Sequence, residues 1–352
     1  MPHIAVIPGD GIGQEVIPEG LRVLTLLNET HNLNLSFETL DFGADRYLSD
    51  GVSLPEGFVE QSRDTYDAIY LGALGDPRVT NNQHARDILL GLRFDLDLFI
   101  NLRPIRLLDE RYCPLKGKGP DDVDMVVFRE NTEGLYTGLG GQFKRGSTDE
   151  VAMEVEVNTS KGVRRIIQAA FDHADRHQAA SVCMSDKANA MRHGHELWQR
   201  AFRDIASSYP HIEARHMYVD VLCMEMVRCP EQFDVVVTNN LFGDIVTDLG
   251  AQLQGGIGLA ASGNIHPGQI SLFEPVHGSA PTLVGKEVAN PLAAILSAGM
   301  MLSHLGHTPL EQQVLLAVQH CLHQGHVTAE LGGDLSTRAV TDKVLEALSS
   351  SP

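Results

Sequence analysis

Asn239-Asn240-Leu241-Phe242-Gly243-Asp244-Ile245-Val246-Thr247-Asp248 follows directly on the apolar run Val235-Val236-Val237. The run reads as a buried strand, and the segment from Phe242 onward as a helix. Asp244 and Asp248 then sit one turn apart on one helix face. Two stacked carboxylates repel unless something positive lies between them, and a hard divalent cation such as Mg²⁺ takes oxygen ligands of this kind. An isolated Asp-x-x-x-Asp is in the first instance a solvated helix face. Here a buried-looking strand precedes it, and ligands collect at strand C-termini in α/β proteins. The context turns the reading towards a metal site.

The same rhythm extends in both directions. Residues 4–7 read as a strand, followed by a glycine-rich turn and a helix over about 14–27. Residues 68–71, 123–128, 181–184 and 235–238 read as further strands, each followed by polar or glycine residues. Residues 88–98 carry helical periodicity through Leu89, Leu92, Leu96 and Phe99. Strands alternating with helices predict an α/β protein with a helix-flanked sheet. One segment departs from this. Val151-Ala152-Met153-Glu154-Val155-Glu156-Val157 alternates with period two and predicts a half-exposed antiparallel strand, either a dimer arm or an ordinary edge strand.

At 352 residues, 43% hydrophobic and 21% charged, the chain has the composition of a globular protein with room for two domains. Its formal net charge of −19 argues against a nucleic-acid partner, which would require a basic footprint. The apolar runs are too short to cross a bilayer. Five scattered cysteines without a Cys-x-x-Cys pair fit reduced thiols. No signal-peptide pattern opens the sequence, so the expected compartment is the cytoplasm.

Arg93, Arg103 and Arg129 each adjoin apolar residues, where a guanidinium favours a planar anionic partner. Internal Arg–Asp pairs would satisfy any one of them; three together suggest a polycarboxylate substrate. Lys187, after the strand at 181–184, could act as a base, Tyr136 as a proton donor, and Asp220 as a third carboxylate. Gly9-Asp10-Gly11-Ile12-Gly13 lacks the spacing of the dinucleotide fingerprint, which argues against a standard Rossmann fold. Glu274-Pro275-Val276-His277-Gly278-Ser279-Ala280-Pro281, running on to Asn290, is a plausible nucleotide loop because small residues let a ligand approach the backbone. His193, His195 and Glu196, and His320, His323 and His326, match no metal-ligand spacing.

Taken together, Gly9–Gly13, Asn101-Leu102-Arg103-Pro104, Arg129-Glu130-Asn131-Thr132-Glu133-Gly134, the stretch from Asn239 to Ile245 and the Glu274–Pro281 segment resemble the isocitrate/3-isopropylmalate dehydrogenase family. The resemblance runs from residue 4 to about residue 345, with the five motifs in the family's order. It implies a two-domain α/β fold of the isopropylmalate dehydrogenase type. Residues 1–98 and 254–352 would form a nucleotide-side domain. Residues 99–253 would form a dimerisation and metal-side domain with an arm near 136–158. It implies metal-dependent oxidative decarboxylation of a 3-carboxy-2-hydroxy acid with NAD and Mg²⁺ or Mn²⁺.

By match to the family, Arg93, Arg103 and Arg129 hold substrate carboxylates, and Asp220, Asp244 and Asp248 hold the cation. Lys187 helps deprotonate the C2 hydroxyl, and Tyr136 protonates C3. The expected cofactor contacts are Ile12, Glu274, His277, Gly278, Ser279, Ala280, Thr282 and Asn290. The family is dimeric, so Lys187 and Asp220 would serve the partner's site. Leu89 and Leu90, just before Arg93, suit an isopropyl group and favour 3-isopropylmalate. Arg86, where leucine-pathway relatives usually carry Glu, keeps a more polar substrate open, isocitrate and homoisocitrate included. D-malate and tartrate dehydrogenases are the runner-up because they share the leucine pair and the Glu-Asn-Thr-Glu-Gly stretch. Thr282 replaces both the Asp typical of NAD-dependent relatives and the Lys-Tyr of NADP-dependent ones. With no cation for a 2′-phosphate, NAD is favoured. A non-catalytic regulatory subunit is the remaining alternative, although such chains typically lose site residues that are all retained here.

Overall fold

The computed structural model describes residues 1–350. The chain opens with β1 (His3–Gly9), α1 (Gly13–His31), β2 (Ser36–Thr39), α2 (Ala44–Asp50), α3 (Phe58–Thr65), β3 (Ala68–Ala73) and α4 (Gln83–Asp95). It continues through β4 (Ile100–Arg106), β5 (Asp124–Glu130), β6 (Gly140–Phe143), β7 (Val151–Glu154) and α5 (Ser160–His177). Next come β8 (Ser181–Asp186), α6 (Arg192–Ala206), β9 (Glu213–Tyr218), α7 (Val219–Arg228), β10 (Val235–Thr238) and α8 (Asn240–Leu253). The last elements are β11 (Ala261–Ile265), β12 (Ser271–Pro275), α9 (Leu292–His304), α10 (Thr308–Gln324) and α11 (Thr337–Ser350).

Two compact units emerge. The first comprises Met1–Leu98, Arg106–Pro120 and Ala251–Pro352; the second comprises Phe99–Ile105 and Asp121–Gly250. The expected division at 98 and 254 left the segment 106–120 in the second unit. In the structure it belongs to the first, because its backbone and side chains bond to α10. Gln319 donates to the Leu108 carbonyl at 3.3 Å, and Arg111 donates to the Leu322 carbonyl while pairing with Asp109.

In the first unit the strand order is β2–β1–β3–β12–β11, parallel except for the antiparallel β11–β12 pair. That antiparallel pair and the order itself are not those of a standard Rossmann fold. Buried residues of β1 and β3, among them Ile7, Ile69 and Leu71, pack with Ile88 and Leu92 of α4 and with Leu96 at its C-terminal cap. Burial of each large aliphatic side chain contributes about 1.5–3 kcal/mol. The apolar stripe of α4 is therefore what anchors it, and Arg93 rides on that anchored helix.

In the second unit the order is β4–β5–β10–β8–β9. β10 lies parallel between β5 and β8, with Thr238 opposite both Arg129 and Ser185. Val235, Val236 and Val237 are buried on both faces, as a central parallel strand requires. This register brings the C-terminal ends of β5, β10 and β8 level, so Arg129, Asn239 and Asp186–Lys187 emerge at one edge. The expected alternating strand is shorter than its pattern. β7 stops at Glu154 and pairs antiparallel only with β6, and every residue of this two-stranded ribbon is exposed. Period two held, but no core lies against either face.

Candidate active site

Asn239 caps α8. Its side-chain oxygen accepts from the Phe242 backbone N–H at 2.8 Å, satisfying one of the free donors of the first helical turn. The helix thus begins at the strand end, and Asp244 and Asp248 lie one turn apart along it. Arg129, almost wholly buried at the end of β5, reaches this helix. Its Nη1 is 2.6 Å from Asp244 Oδ1, while Nε and Nη2 donate to Asn240 Oδ1 at 3.1 and 2.8 Å. Gly243 makes the approach possible. A Cβ there would stand 2.4 Å from Arg129 Cγ.

Arg103, from β4, donates to Thr247 Oγ1 at 2.6 Å and lies 3.8 Å from Asp244 and 3.9 Å from Asp248. The Tyr136 hydroxyl donates to Asp244 Oδ2 at 3.2 Å, and the Arg129 guanidinium sits 5.2 Å from the Tyr136 ring centroid. Arg103, Arg129, Tyr136, Asp244 and Asp248 are therefore one cluster. Burial, and then the neighbouring Asp244 charge, push the Asp248 carboxyl above the usual carboxylate range, against the pull of Arg103 and Arg129.

Lys187 and Asp220 form a separate pair, Nζ to Oδ1 at 2.5 Å, with the ammonium 5.7 Å from the Tyr218 ring centroid. Asp220 lies in the first turn of α7, two residues after β9 closes. Among the described residues no group of three or more His, Cys, Asp or Glu side chains is assembled to hold a metal ion within one chain.

The first unit carries the remaining candidates. Arg93 donates from Nη2 to Glu274 Oε1 at 2.9 Å, and Glu274 also accepts from Asn264 at 2.8 Å. Glu274 is thus the partner of an arginine rather than an open loop contact. Leu89 packs on the core cluster beside Leu54 and Leu74, while Leu90 is half-buried. Ile12 donates its backbone N–H to Ser279 O at 2.9 Å, which ties the N-terminal turn to the Glu274–Pro281 loop. Gly11, at φ +56°, fits because a Cβ would meet Ser279 O at 2.1 Å. His277 and Asn290 are buried, yet His277 Nε2 and Asn290 Nδ2 have no hydrogen-bond partner. Ala280 holds a positive φ of 39°, and Gly278 and Thr282 are exposed.

Three residues that sequence reasoning did not select complete the second unit's edge: Glu156, His195 and Asn239. Only Asn239 carried a readable signal, as a capping residue between a strand and a helix. In the first unit the missed residue is Asp10. It is buried, accepts from the Ala44 and Gly75 backbones at 2.6 and 2.8 Å, and lies 2.7 Å from His84 Nε2.

A family model described as isocitrate/isopropylmalate dehydrogenase matches residues 3–347. The chain is 45% identical over 345 residues to a 3-isopropylmalate dehydrogenase of Thermobifida fusca, spanning 97% of this chain and 96% of that one. It is 41% identical over 356 residues to a decarboxylating D-malate dehydrogenase of Escherichia coli K12, spanning 98% of each. A crystal structure of isocitrate dehydrogenase from Methylococcus capsulatus superposes with a TM-score of 0.89 at 34% identity, covering 99% of both chains. The chain belongs to the isocitrate/isopropylmalate dehydrogenase family and is a decarboxylating dehydrogenase.

Proposed function

We propose that the chain oxidises and decarboxylates 3-isopropylmalate with NAD and a divalent cation. The observation that carries the activity is the single cluster of Arg103, Arg129, Tyr136, Asp244 and Asp248, with two hard carboxylates beside two buried guanidinium groups. A divalent cation fits that donor set. It would relieve the burial and like-charge penalties that raise the Asp248 carboxyl, and Mg²⁺ or Mn²⁺ accepts such oxygens. A nucleotide fits the first unit's loop, where the unpartnered His277 and Asn290 atoms call for polar groups. When bound, the cation supplies Lewis acidity at the C2 oxygen and the nicotinamide accepts the hydride.

The chain's own residues do the rest. Arg103 and Arg129, together with Arg93, bind the substrate carboxylates. Lys187 takes the C2 hydroxyl proton as the C2 hydride leaves. The bond from C3 to its carboxylate then breaks with loss of CO₂, and Tyr136 delivers a proton to C3.

Leu89 and Leu90 on α4 support an apolar side group on the substrate. A buried carboxylate facing them would lack a partner, at about 1–3 kcal/mol or more. One observation favours a second reading, D-malate or tartrate. Exposed Arg86 lies one turn before Leu90 on the same helix.

A homodimer is part of the proposal. Phe143, Val151 and Met153 of the ribbon and Val155 just after it are exposed, as are Val221, Met224 and Val227 along one stripe of α7. In that arrangement Lys187 and Asp220 would serve the second copy, which fits their separation from the Asp244 cluster. The test compares kcat/KM for 3-isopropylmalate, D-malate, tartrate, isocitrate and homoisocitrate with Mn²⁺ and each nucleotide, alongside sedimentation. A preference for isocitrate would overturn the reading of Leu89 and Leu90. A fully active monomer would overturn the shared site.

A further inference from the structure

His195 occupies the first turn of α6, is fully buried, and bonds on both sides of its ring. Its Nδ1 lies 2.7 Å from the Lys187 backbone N–H. A backbone amide can only donate, so Nδ1 carries the lone pair and the neutral ring bears its proton on Nε2. Nε2 then donates to Glu156, whose two oxygens lie 3.2 and 3.4 Å away. The same carboxylate accepts from Asn239 Nδ2 at 2.6 Å. The 3.3 Å approach of Asn239 Nδ2 to His195 Nε2 is therefore two donors converging on one acceptor.

Asn239, with its nitrogen turned to Glu156, presents its oxygen to the Phe242 N–H and caps the helix that carries Asp244 and Asp248. Phe242 closes the arrangement, its ring at an edge angle to His195 with centroids 5.6 Å apart. Burial acts to raise the Glu156 carboxyl, but His195 and the amides of Asn158 and Asn239 outweigh it and hold it below the usual range. Glu156 is thus ionised and can only accept.

We infer that Glu156 and His195 are positioning residues. One acceptor-only carboxylate sets the tautomer of His195, which holds the Lys187 backbone, and the amide orientation of Asn239, which holds the start of the Asp244 helix. Beyond the end of β8, the Lys187 segment is held by Asp186, whose Oδ1 accepts from the Ala188 N–H at 3.0 Å, and by the Lys187–Asp220 pair. It is a turn in which the Lys187 carbonyl accepts from Ala190 and Met191, and Met191 in turn accepts from the His195 backbone. The imidazole clips that turn shut. This rests on the proposed role of Lys187 as the proton acceptor.

Two isosteres separate the ring's two bonds. Asn places its amide oxygen near Nδ1; Gln places its amide nitrogen near Nε2. With Mn²⁺, NAD and 3-isopropylmalate (D-malate, should the panel select it), His195→Gln is expected to lower kcat on the order of 10²-fold, the scale of a group misplaced by about 1 Å, with KM little moved. His195→Asn should recover most of the rate, to within about fivefold of the parent, the value of one net hydrogen bond. Glu156→Gln gives an independent reading. A neutral amide must turn a donor towards either His195 or Asn239, so kcat should fall roughly tenfold or more.

Lys187→Met, run in parallel, tests the underlying reading. If it is inactive while His195→Gln and Glu156→Gln keep the parent kcat, the positioning role is wrong and the reading of Lys187 stands. If Lys187→Met turns over normally, both fall. If the two His195 variants lose rate equally and only in step with their thermal midpoints, the ring is merely structural and the inference is overturned.

Discussion

In the first unit the glycine-rich turn beside the proposed nucleotide contacts is held by backbone. In the second, the residues proposed to meet substrate and cation are held by charge. The Gly9–Gly13 turn packs so closely that a Cβ at Gly9, Gly11 or Gly13 would lie 2.1–2.2 Å from the carbonyl oxygens of Ala73, Ser279 or Pro8. In the second unit, Arg103, Arg129 and Tyr136 converge instead on the carboxylates of one helix, while Asn240 at its start accepts from Arg129. The glycines of that turn offer shape and backbone donors, and the one titratable group among them, Asp10, is already paired with His84. A lattice of guanidinium and carboxylate can exchange partners when an anionic substrate and a cation arrive. Binding by shape and chemistry by charge are thus assigned to different parts of the chain.

Breaking the charged half should have the largest effect. Asp244→Asn removes a proposed cation ligand and the partner of Arg129, so kcat/KM should fall on the order of 10³-fold, about 4 kcal/mol. Nucleotide affinity, measured by titration of the cation-free protein, should stay near the parent value. Equal losses in both would erase the distinction drawn above.

Gly11→Ala attacks the other half. At φ +56° and with no room beside Ser279, it should raise the KM for NAD by roughly 10²-fold and leave hydroxy-acid binding nearly intact. Steady-state kinetics with each substrate varied in turn gives the answer.

The charged half should also respond to pH. Burial, then the charges of His177 and Arg176, lower the His173 imidazole to about 4. Between its ordinary value and that figure the unfolded chain binds the proton and the folded chain does not. Stability is therefore complete above about pH 6.5 and falls as the medium is acidified towards 4. After discounting for partial solvent access the loss is on the order of 2 kcal/mol. His173→Phe should flatten the acid limb of the thermal-midpoint curve; an unchanged slope would show that other groups dominate.

Gly243→Ala is the finest probe. Its Cβ would press on Arg129, so the hydroxy-acid KM should rise roughly tenfold, about 1.4 kcal/mol, with the NAD KM unchanged. A normal KM would mean that Arg129 can re-route without loss.

The pairing of Asp244 with Asp248 was legible because a helix repeats every few residues and the strand before it is apolar. Arg129 was legible as a guanidinium at a strand end. Glu156 and Asn239 were not legible as one unit, since 83 residues separate them and Glu156 lies in the connection between β7 and α5, where a bridge of Val157 to Gly134 holds the chain. For His195 the sequence offered no positive role. Beside His193 and Glu196 its only candidate role was as a metal ligand, which the spacing does not support, whereas its actual partners are a backbone amide and a carboxylate 39 residues away.

The amino-acid order by itself determined which segments are strands and helices and which side chains could do chemistry, because periodicity, capping and motif spacing are local properties. Tertiary structure alone decided which of those side chains share a cluster. It joined Arg103, Arg129 and Tyr136 to Asp244, set Asp220 apart with Lys187, and gave Glu274 to Arg93. Those partnerships depend on strand register and on helices packing at long range, where burial and charge, rather than sequence neighbours, choose the contacts.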